Sequence, residues 1–114
     1  MGMYFVTGLD HVDYDKSGVM VGHDNPKAVS LPRSHTFGFF KELEDAKYTV
    51  ESNDCDINEG GYYKYMVIEY IDDGYCYPTA AEIAWYRWEG TEEKGKYIDI
   101  PKPDSTRSTC NFAF

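Results

Sequence analysis

The pattern of apolar and polar residues along the chain predicts a series of β-strands. Met3–Leu9 is rich in β-branched and aromatic residues, and residues 18–22 form a second apolar run after the polar stretch 13–17, which predicts a β-hairpin. A further strand is predicted at Thr36–Phe40, after a proline-containing loop. The strongest strand pattern is Tyr62–Ile71, and because both of its faces are largely apolar we expect a central strand.

The later part of the chain adds a second predicted hairpin. Its strands are Glu82–Trp88 and Lys96–Ile100, joined by a loop at residues 90–95 and ended by prolines. Trp85 and Arg87 fall on the same face of the first of these strands.

Residues 41–53 form the one predicted helix. Leu43, Ala46 and Val50 fall at positions i, i+3 and i+7, and acidic residues occupy the first turn, where the helix dipole favours them. Such a helix would be roughly 18 Å long, enough to cover part of one sheet face. The predicted class is therefore α+β, with a mainly antiparallel sheet of four or five strands and one helix packed on one face. At 114 residues, we expect a single domain, residues 1–114.

One short helix leaves the second face of this sheet without a cover. We expect either loops, such as residues 24–35 and the end of the sequence, or a partner protein to lie on it. The aromatic residues that would line such an interface are Tyr62, Tyr63, Tyr65, Trp85, Tyr86 and Trp88.

Composition and charge limit the kinds of partner that the protein is expected to bind. The formal net charge is −9, which disfavours direct binding of nucleic acid, and no apolar run approaches the roughly 20 residues that span a bilayer. Acidic residues concentrate between Glu42 and Glu59, where Lys47 alone offsets them, so this patch is either a solvated face or a surface for a basic partner. Three cysteines without CxxC spacing favour the reducing cytoplasm over a disulfide framework or zinc site.

The stretch Asp13–Asp24 fits the register of a calcium-binding loop. Asp13, Asp15 and Ser17 occupy the first oxygen-ligand positions, and Gly18 occupies the sharp turn. The flanking segments are strand-like where an EF-hand has helices, and Asp24 is shorter than the usual closing glutamate. A hairpin turn explains the same residues, so we predict a turn, with a weak calcium loop as the alternative.

Arg87, between two tryptophans, is the most unusual residue of its strand. It could hold a carboxylate or phosphate in a small-ligand pocket, or form an ion pair with Glu69 across the sheet, which we consider the better interpretation. Arg33 is a second candidate for contact with an anion. No nucleophile, paired-carboxylate or phosphate-loop motif stands out, so we expect neither an enzyme, nor a cofactor, nor a metal site. The predicted binding residues are Trp85, Arg87, Trp88, Tyr63, Tyr65 and Arg33.

The stretch TFGFFKELEDAKYTVESNDCDINEGGYYKYMVIEYI, with the later EIAWYRW and CNFAF, resembles a group of small uncharacterised proteins of Gram-positive gut bacteria and their phages. The shared order is an aromatic-Gly-aromatic strand, a helix with an acidic start, a CDI-like element, a YY-x-x-x-VIE strand and an aromatic strand ending in Trp. Lys41 departs from this pattern, since a Ser or Thr helix cap is expected there. The motifs are structural, so the resemblance carries over no activity and implies only a genomic setting.

That setting implies a non-enzymatic interaction protein. Accessory proteins of phages and mobile elements often bind and block host components, so we expect inhibition of a host defence component through an acidic or aromatic surface. The partner would be a host protein, or a second copy in a homodimer. The alternative is a binding protein for a small anionic ligand such as a signalling nucleotide, with aromatic rings stacking the base and Arg87 or Arg33 holding phosphate. A structural domain with a weak calcium loop is a further alternative.

Overall fold

A computed structural model describes residues 2–10, 34–73, 81–102 and 112–113 of the chain. The described residues form an antiparallel five-stranded sheet with one α-helix on one face, which confirms the predicted α+β class. In chain order the elements are β1 (Met3–Leu9), β2 (Ser34–Phe40), α1 (Leu43–Glu51), β3 (Tyr65–Ile71), β4 (Ala81–Gly90) and β5 (Gly95–Ile100), with a single 3₁₀ turn at Asp54–Asp56 after the helix.

The strands lie in the order β2-β1-β3-β4-β5, so β3 is central, as its two apolar faces predict. β1 pairs with β2 along one edge and with β3 along the other. The prediction that β1 pairs with residues 18–22 in a hairpin is therefore wrong, since both of its edges are occupied; residues 18–22 themselves lie outside the described part of the chain. The predicted hairpin of β4 and β5 is confirmed, with Gly90 paired to Gly95 beside its turn.

Helix α1 covers the face of the sheet that we call the helix face. Ala46 and Val50 are fully buried and Leu43 is half-buried, as their spacing predicts. They pack in one cluster with Val6 and Met66 of the sheet. The helix is shorter than predicted, at nine residues, because the chain is extended at Glu42, which precedes the first turn without a side-chain capping bond.

The opposite face of the sheet, here the strap face, carries a second apolar cluster. Leu9, Val67 and Trp85 are buried there, and Phe112 packs against them. The segment Phe112–Ala113, which we call the strap, covers this part of the face. The expectation that residues near the end of the sequence lie on the second face is thus confirmed, whereas most of the loop 24–35 lies outside the described residues.

Candidate binding surfaces

Two of the predicted binding residues belong to the protein's own core on the helix face. Trp88 is 8% exposed, its ring packs at 5.0 Å from that of Tyr97, and its indole N–H donates to the Thr91 carbonyl at 3.0 Å. Tyr63 is also buried, with its ring 5.3 Å from Phe37, and its carbonyl accepts the Tyr97 hydroxyl at 2.6 Å. Both side chains therefore stabilise the fold and offer little surface to a ligand.

The strap face holds three others: Tyr65, Trp85 and Arg87. Because residues alternate along β4, Trp85 and Arg87 share this face and Trp88 lies on the other, so the structure does not bring the predicted residues together in one site. Arg33, the sixth residue, lies outside the described part of the chain.

Arg87 forms its ion pair within its own strand. Its guanidinium lies 2.6 Å from the Glu89 carboxylate through Nη2, and Nε donates to the same oxygen at 2.7 Å. The predicted pair with Glu69 is wrong, because Arg87 stands opposite Tyr65, four residues along β3 from Glu69. Both partners of the observed pair are almost half exposed, so it contributes little to stability.

Glu69 is instead the centre of a buried polar site on the strap face. It is fully buried on the central strand, and its carboxylate accepts the backbone N–H of Phe112 at 2.8 Å and that of Ala113 at 2.9 Å. The Phe112 ring stands edge-on to Trp85 with the centroids 5.3 Å apart. A buried charge requires such donors, because an ionised group without them is strongly disfavoured in an apolar surrounding.

The electrostatics of Glu69 favour its protonated form. Burial raises the pKa of the Glu69 carboxyl, while the two strap N–H donors lower it by less. A register shift after Ile68 places Glu82 opposite Glu69, and its negative charge raises that pKa further. Glu82 is itself paired with Lys102, at 2.6 Å between Oε2 and Nζ.

The sequence predicted Glu69 only as an ion-pair partner of Arg87, and did not identify it as the acceptor of a buried polar site. The available signal was its place on a strand face shared with Tyr65, Val67 and Ile71, where a carboxylate must find donors. The donors come from residues more than 40 positions away in sequence, so they could not be identified without the fold.

A second candidate surface lies on the outer side of α1. Glu44, Tyr48 and Glu51 share one face of the helix at i, i+4 and i+7, and Tyr48 is 68% exposed. Acidic side chains surround this face, and every one of them is exposed. We call this set the acidic helix surface: Glu42, Glu44, Asp45, Tyr48, Glu51, Asp54, Asp56 and Glu59.

The turn after α1 holds part of the acidic helix surface in an unusual backbone conformation. Asn53, Cys55, Asp56 and Glu59 all have φ between 50° and 56°, in the left-handed region that non-glycine residues rarely adopt. The Asn53 side chain supports this turn by accepting the Asn58 N–H at 3.1 Å and donating to the Asp56 carboxylate at 3.2 Å. The acidic side chains of the turn thus project from a backbone that the Asn53 side chain supports by hydrogen bonds.

Two tyrosine hydroxyls tie the surrounding elements together. The Tyr86 hydroxyl of β4 donates to the Glu51 carboxylate at the end of α1, at 3.0 Å. Burial raises the pKa of Tyr86 and of Tyr97, and nearby carboxylates add to the rise at both, so each hydroxyl keeps its proton.

A cavity of about 280 Å³ lies at one end of β4 and β5, and it bears on the small-anion alternative. Its charged lining residues are Lys47, Lys102, Glu82 and Asp99, so two cations face two anions. Lys102 is already engaged by Glu82. The charges therefore balance, and the cavity shows no net preference for a phosphate or carboxylate.

No cluster of three or more His, Cys, Asp or Glu side chains among the described residues is placed to hold a metal ion. The predicted turn or calcium loop Asp13–Asp24 lies outside those residues. Within the described ranges, no helix has the length and apolar character needed to cross a bilayer.

No family model, no curated protein and no solved structure matches the chain.

Proposed function

We propose that the protein is a non-catalytic binding protein that docks its acidic helix surface onto a basic surface of a host protein in the cytoplasm. The observation that carries the proposal is Tyr48, 68% exposed in the middle of an acidic helix whose last turn has no basic residue. Exposed tyrosine is a residue type that anchors interfaces, and surrounding charge of one sign steers a partner of the opposite sign.

The proposed consequence for the partner is occlusion. A basic groove that binds nucleic acid would be attracted by the same carboxylates, so the protein would compete with nucleic acid for that groove. Together with the resemblance to proteins of bacteria and their phages, this supports inhibition of a host defence component. The homodimer remains the alternative partner, and native mass spectrometry of the isolated protein would distinguish it by subunit number.

The small-ligand alternative has less support. It depends on Arg87 or Arg33 to hold an anion. The Arg87 guanidinium already pairs with Glu89, and Arg33 lies outside the described part of the chain. Trp85 and Trp88, which would stack a base, lie on opposite faces of β4.

The test is capture of a partner from a lysate of a Gram-positive host, followed by measurement of its affinity. We expect the triple variant Glu42→Gln, Glu44→Gln, Asp45→Asn to bind at least about tenfold more weakly than the wild type, and Tyr48→Ala to show a similar loss. Wild-type affinity should also fall as salt rises, because the Debye length shortens to about 8 Å at physiological ionic strength.

A matched control removes the same number of charges elsewhere. The variant Asp72→Asn, Asp73→Asn, Glu93→Gln alters exposed carboxylates away from α1 and should bind within about twofold of the wild type. Equal losses in the two triple variants would show that net charge matters and the acidic helix surface does not. A captured partner whose affinity neither triple variant changes would refute the proposal.

A further inference from the structure

The strap is held by hydrogen bonds from its main chain to Glu69 and by packing of its aromatic ring. Glu69 receives two consecutive backbone N–H groups, those of Phe112 and Ala113, at 2.8 and 2.9 Å. A second bond from the Phe112 N–H to the other carboxylate oxygen measures 3.0 Å. Both donors are backbone N–H groups, which every residue except proline has, so these bonds do not depend on the side chains of the segment.

The side chains that fit this site are restricted at two positions: an aromatic ring at the place of Phe112 and a small side chain at the place of Ala113. The Phe112 ring packs edge-on to Trp85 and against the cluster that Leu9 and Val67 form. Ala113 is 4% exposed, so a larger side chain at its place would meet the surface that buries it. Trp85 is almost fully buried, and its indole N–H has no acceptor among the described residues.

We propose that Glu69, Trp85, Leu9 and Val67 form a peptide-binding site, the strap site, which the chain's own Phe112–Ala113 fills and which accepts a partner segment with an aromatic residue followed by a small one. The seated strap shows which chemistry fits: an aromatic side chain for the cluster and two main-chain donors for the carboxylate. A replacement must bring those donors, because an empty site would leave Glu69 buried without them. The site lies on the sheet face opposite α1, so it is separate from the acidic helix surface.

A partner segment must compete with the chain's own strap for the strap site. A tethered segment acts at an effective concentration on the order of millimolar, so a free peptide should bind the wild-type protein weakly. Weakening the strap should therefore uncover the binding of a peptide supplied separately.

The test uses the full chain with Phe112→Ala and a synthetic peptide of residues 108–114 carrying Cys110→Ser. Binding is followed by NMR through the Trp85 indole N–H resonance. We expect Phe112→Ala to bind the peptide at least about tenfold more tightly than the wild type does. The Phe112→Ala protein should also bind a second peptide, in which the same phenylalanine is replaced by alanine, at least about tenfold more weakly than it binds the parent peptide. The reason is that the second peptide lacks the aromatic ring.

Two protein controls locate the binding. Glu69→Gln added to Phe112→Ala should lower peptide affinity at least about tenfold, since an NH2 donor replaces one of the two oxygens that accept the main-chain N–H groups. Ile83→Ala, an exposed position elsewhere on β4, should leave the affinity within about twofold. No binding to a folded Phe112→Ala protein at a few millimolar peptide, or equal binding of both peptides, would overturn the proposal.

Circular dichroism establishes whether Phe112→Ala is folded. If it is not, the wild-type chain is titrated with the parent peptide up to several millimolar, the range in which the strap should be displaced. The backbone N–H resonance of the chain's own Phe112 reports that displacement, because it must leave Glu69, and a resonance that stays unchanged over the titration would also overturn the proposal.

Discussion

Glu69 makes the stability of the protein depend on pH in a direction opposite to that of most carboxylates. Burial raises its pKa above the ordinary value of 4.5, so between 4.5 and the raised value the folded chain binds a proton that the unfolded chain has released. The free energy of unfolding should therefore fall as pH rises through this window, by up to about 1.4 kcal/mol per pH unit. Chemical denaturation at a series of pH values measures this slope.

Glu69→Gln removes the titrating group and is the matched variant for that measurement. The amide carries a cost that is the same at every pH, because its own N–H donors face those of the strap, but the slope contributed by Glu69 should disappear. Ile83→Ala, at an exposed position, changes no titratable group and should keep the wild-type slope. Parallel curves for the wild type and Glu69→Gln would contradict the raised pKa.

The two tyrosine hydroxyls allow the contribution of single hydrogen bonds to be compared. Tyr97→Phe removes a buried bond to the Tyr63 carbonyl and should cost about 1–3 kcal/mol. Tyr86→Phe removes a bond to Glu51, whose side chain is exposed and can be solvated, so we expect a smaller loss of about 1 kcal/mol. Urea denaturation of both variants gives the comparison, and an equal or reversed order would show that burial does not govern these two bonds.

The turn that follows α1 concentrates backbone strain in one element. Glu59 has φ of 50° and an exposed side chain, so Glu59→Gly should relieve the left-handed conformation and raise the free energy of unfolding by up to about 1 kcal/mol. The same change within the helix, Glu44→Gly, should lower it by about 1 kcal/mol. Thermal or urea denaturation of the pair checks both signs, and destabilisation by Glu59→Gly would show that the glutamate side chain supports the turn.

The elements differ in how far local sequence determined them. The spacing of Ala46 and Val50 predicted which side of α1 is buried, and the two apolar faces of β3 predicted its central place in the sheet. Both predictions succeeded because both patterns are local. The pairing of β1 was mispredicted, since its partners β2 and β3 are distant in sequence and the apolar run at residues 18–22 is near. Arg87 was likewise given a partner across the sheet, whereas the structure pairs it with Glu89 in its own strand.

The strained turn was not predicted for a related reason. Glycine favours positive φ, and both Gly60 and Gly61 have it. Cys55, Asp56 and Glu59 also have positive φ, although no pattern in the sequence indicates it. Their conformation depends on how the chain leaves α1 and returns to β3, which is a property of the tertiary structure.

Across the whole molecule, the single sheet separates two surfaces of different chemistry. The acidic helix surface stands on α1, which packs on the helix face against Val6 and Met66, whereas the strap site lies on the opposite face around Glu69 and Trp85. The two surfaces therefore have no side chain in common, and a packed sheet lies between them.

This separation predicts that the two surfaces act independently. Substitutions without shared partners usually have additive effects, so the Glu42→Gln, Glu44→Gln, Asp45→Asn variant, combined with Phe112→Ala, should keep the peptide affinity of Phe112→Ala within about twofold. Conversely, Phe112→Ala alone should leave capture of a basic partner unchanged within the same margin. Titrating both ligands against the single and combined variants gives the coupling between the surfaces directly. A coupling well above twofold would mean that the sheet transmits a change from one face to the other, and the acidic surface would then be under the control of the strap.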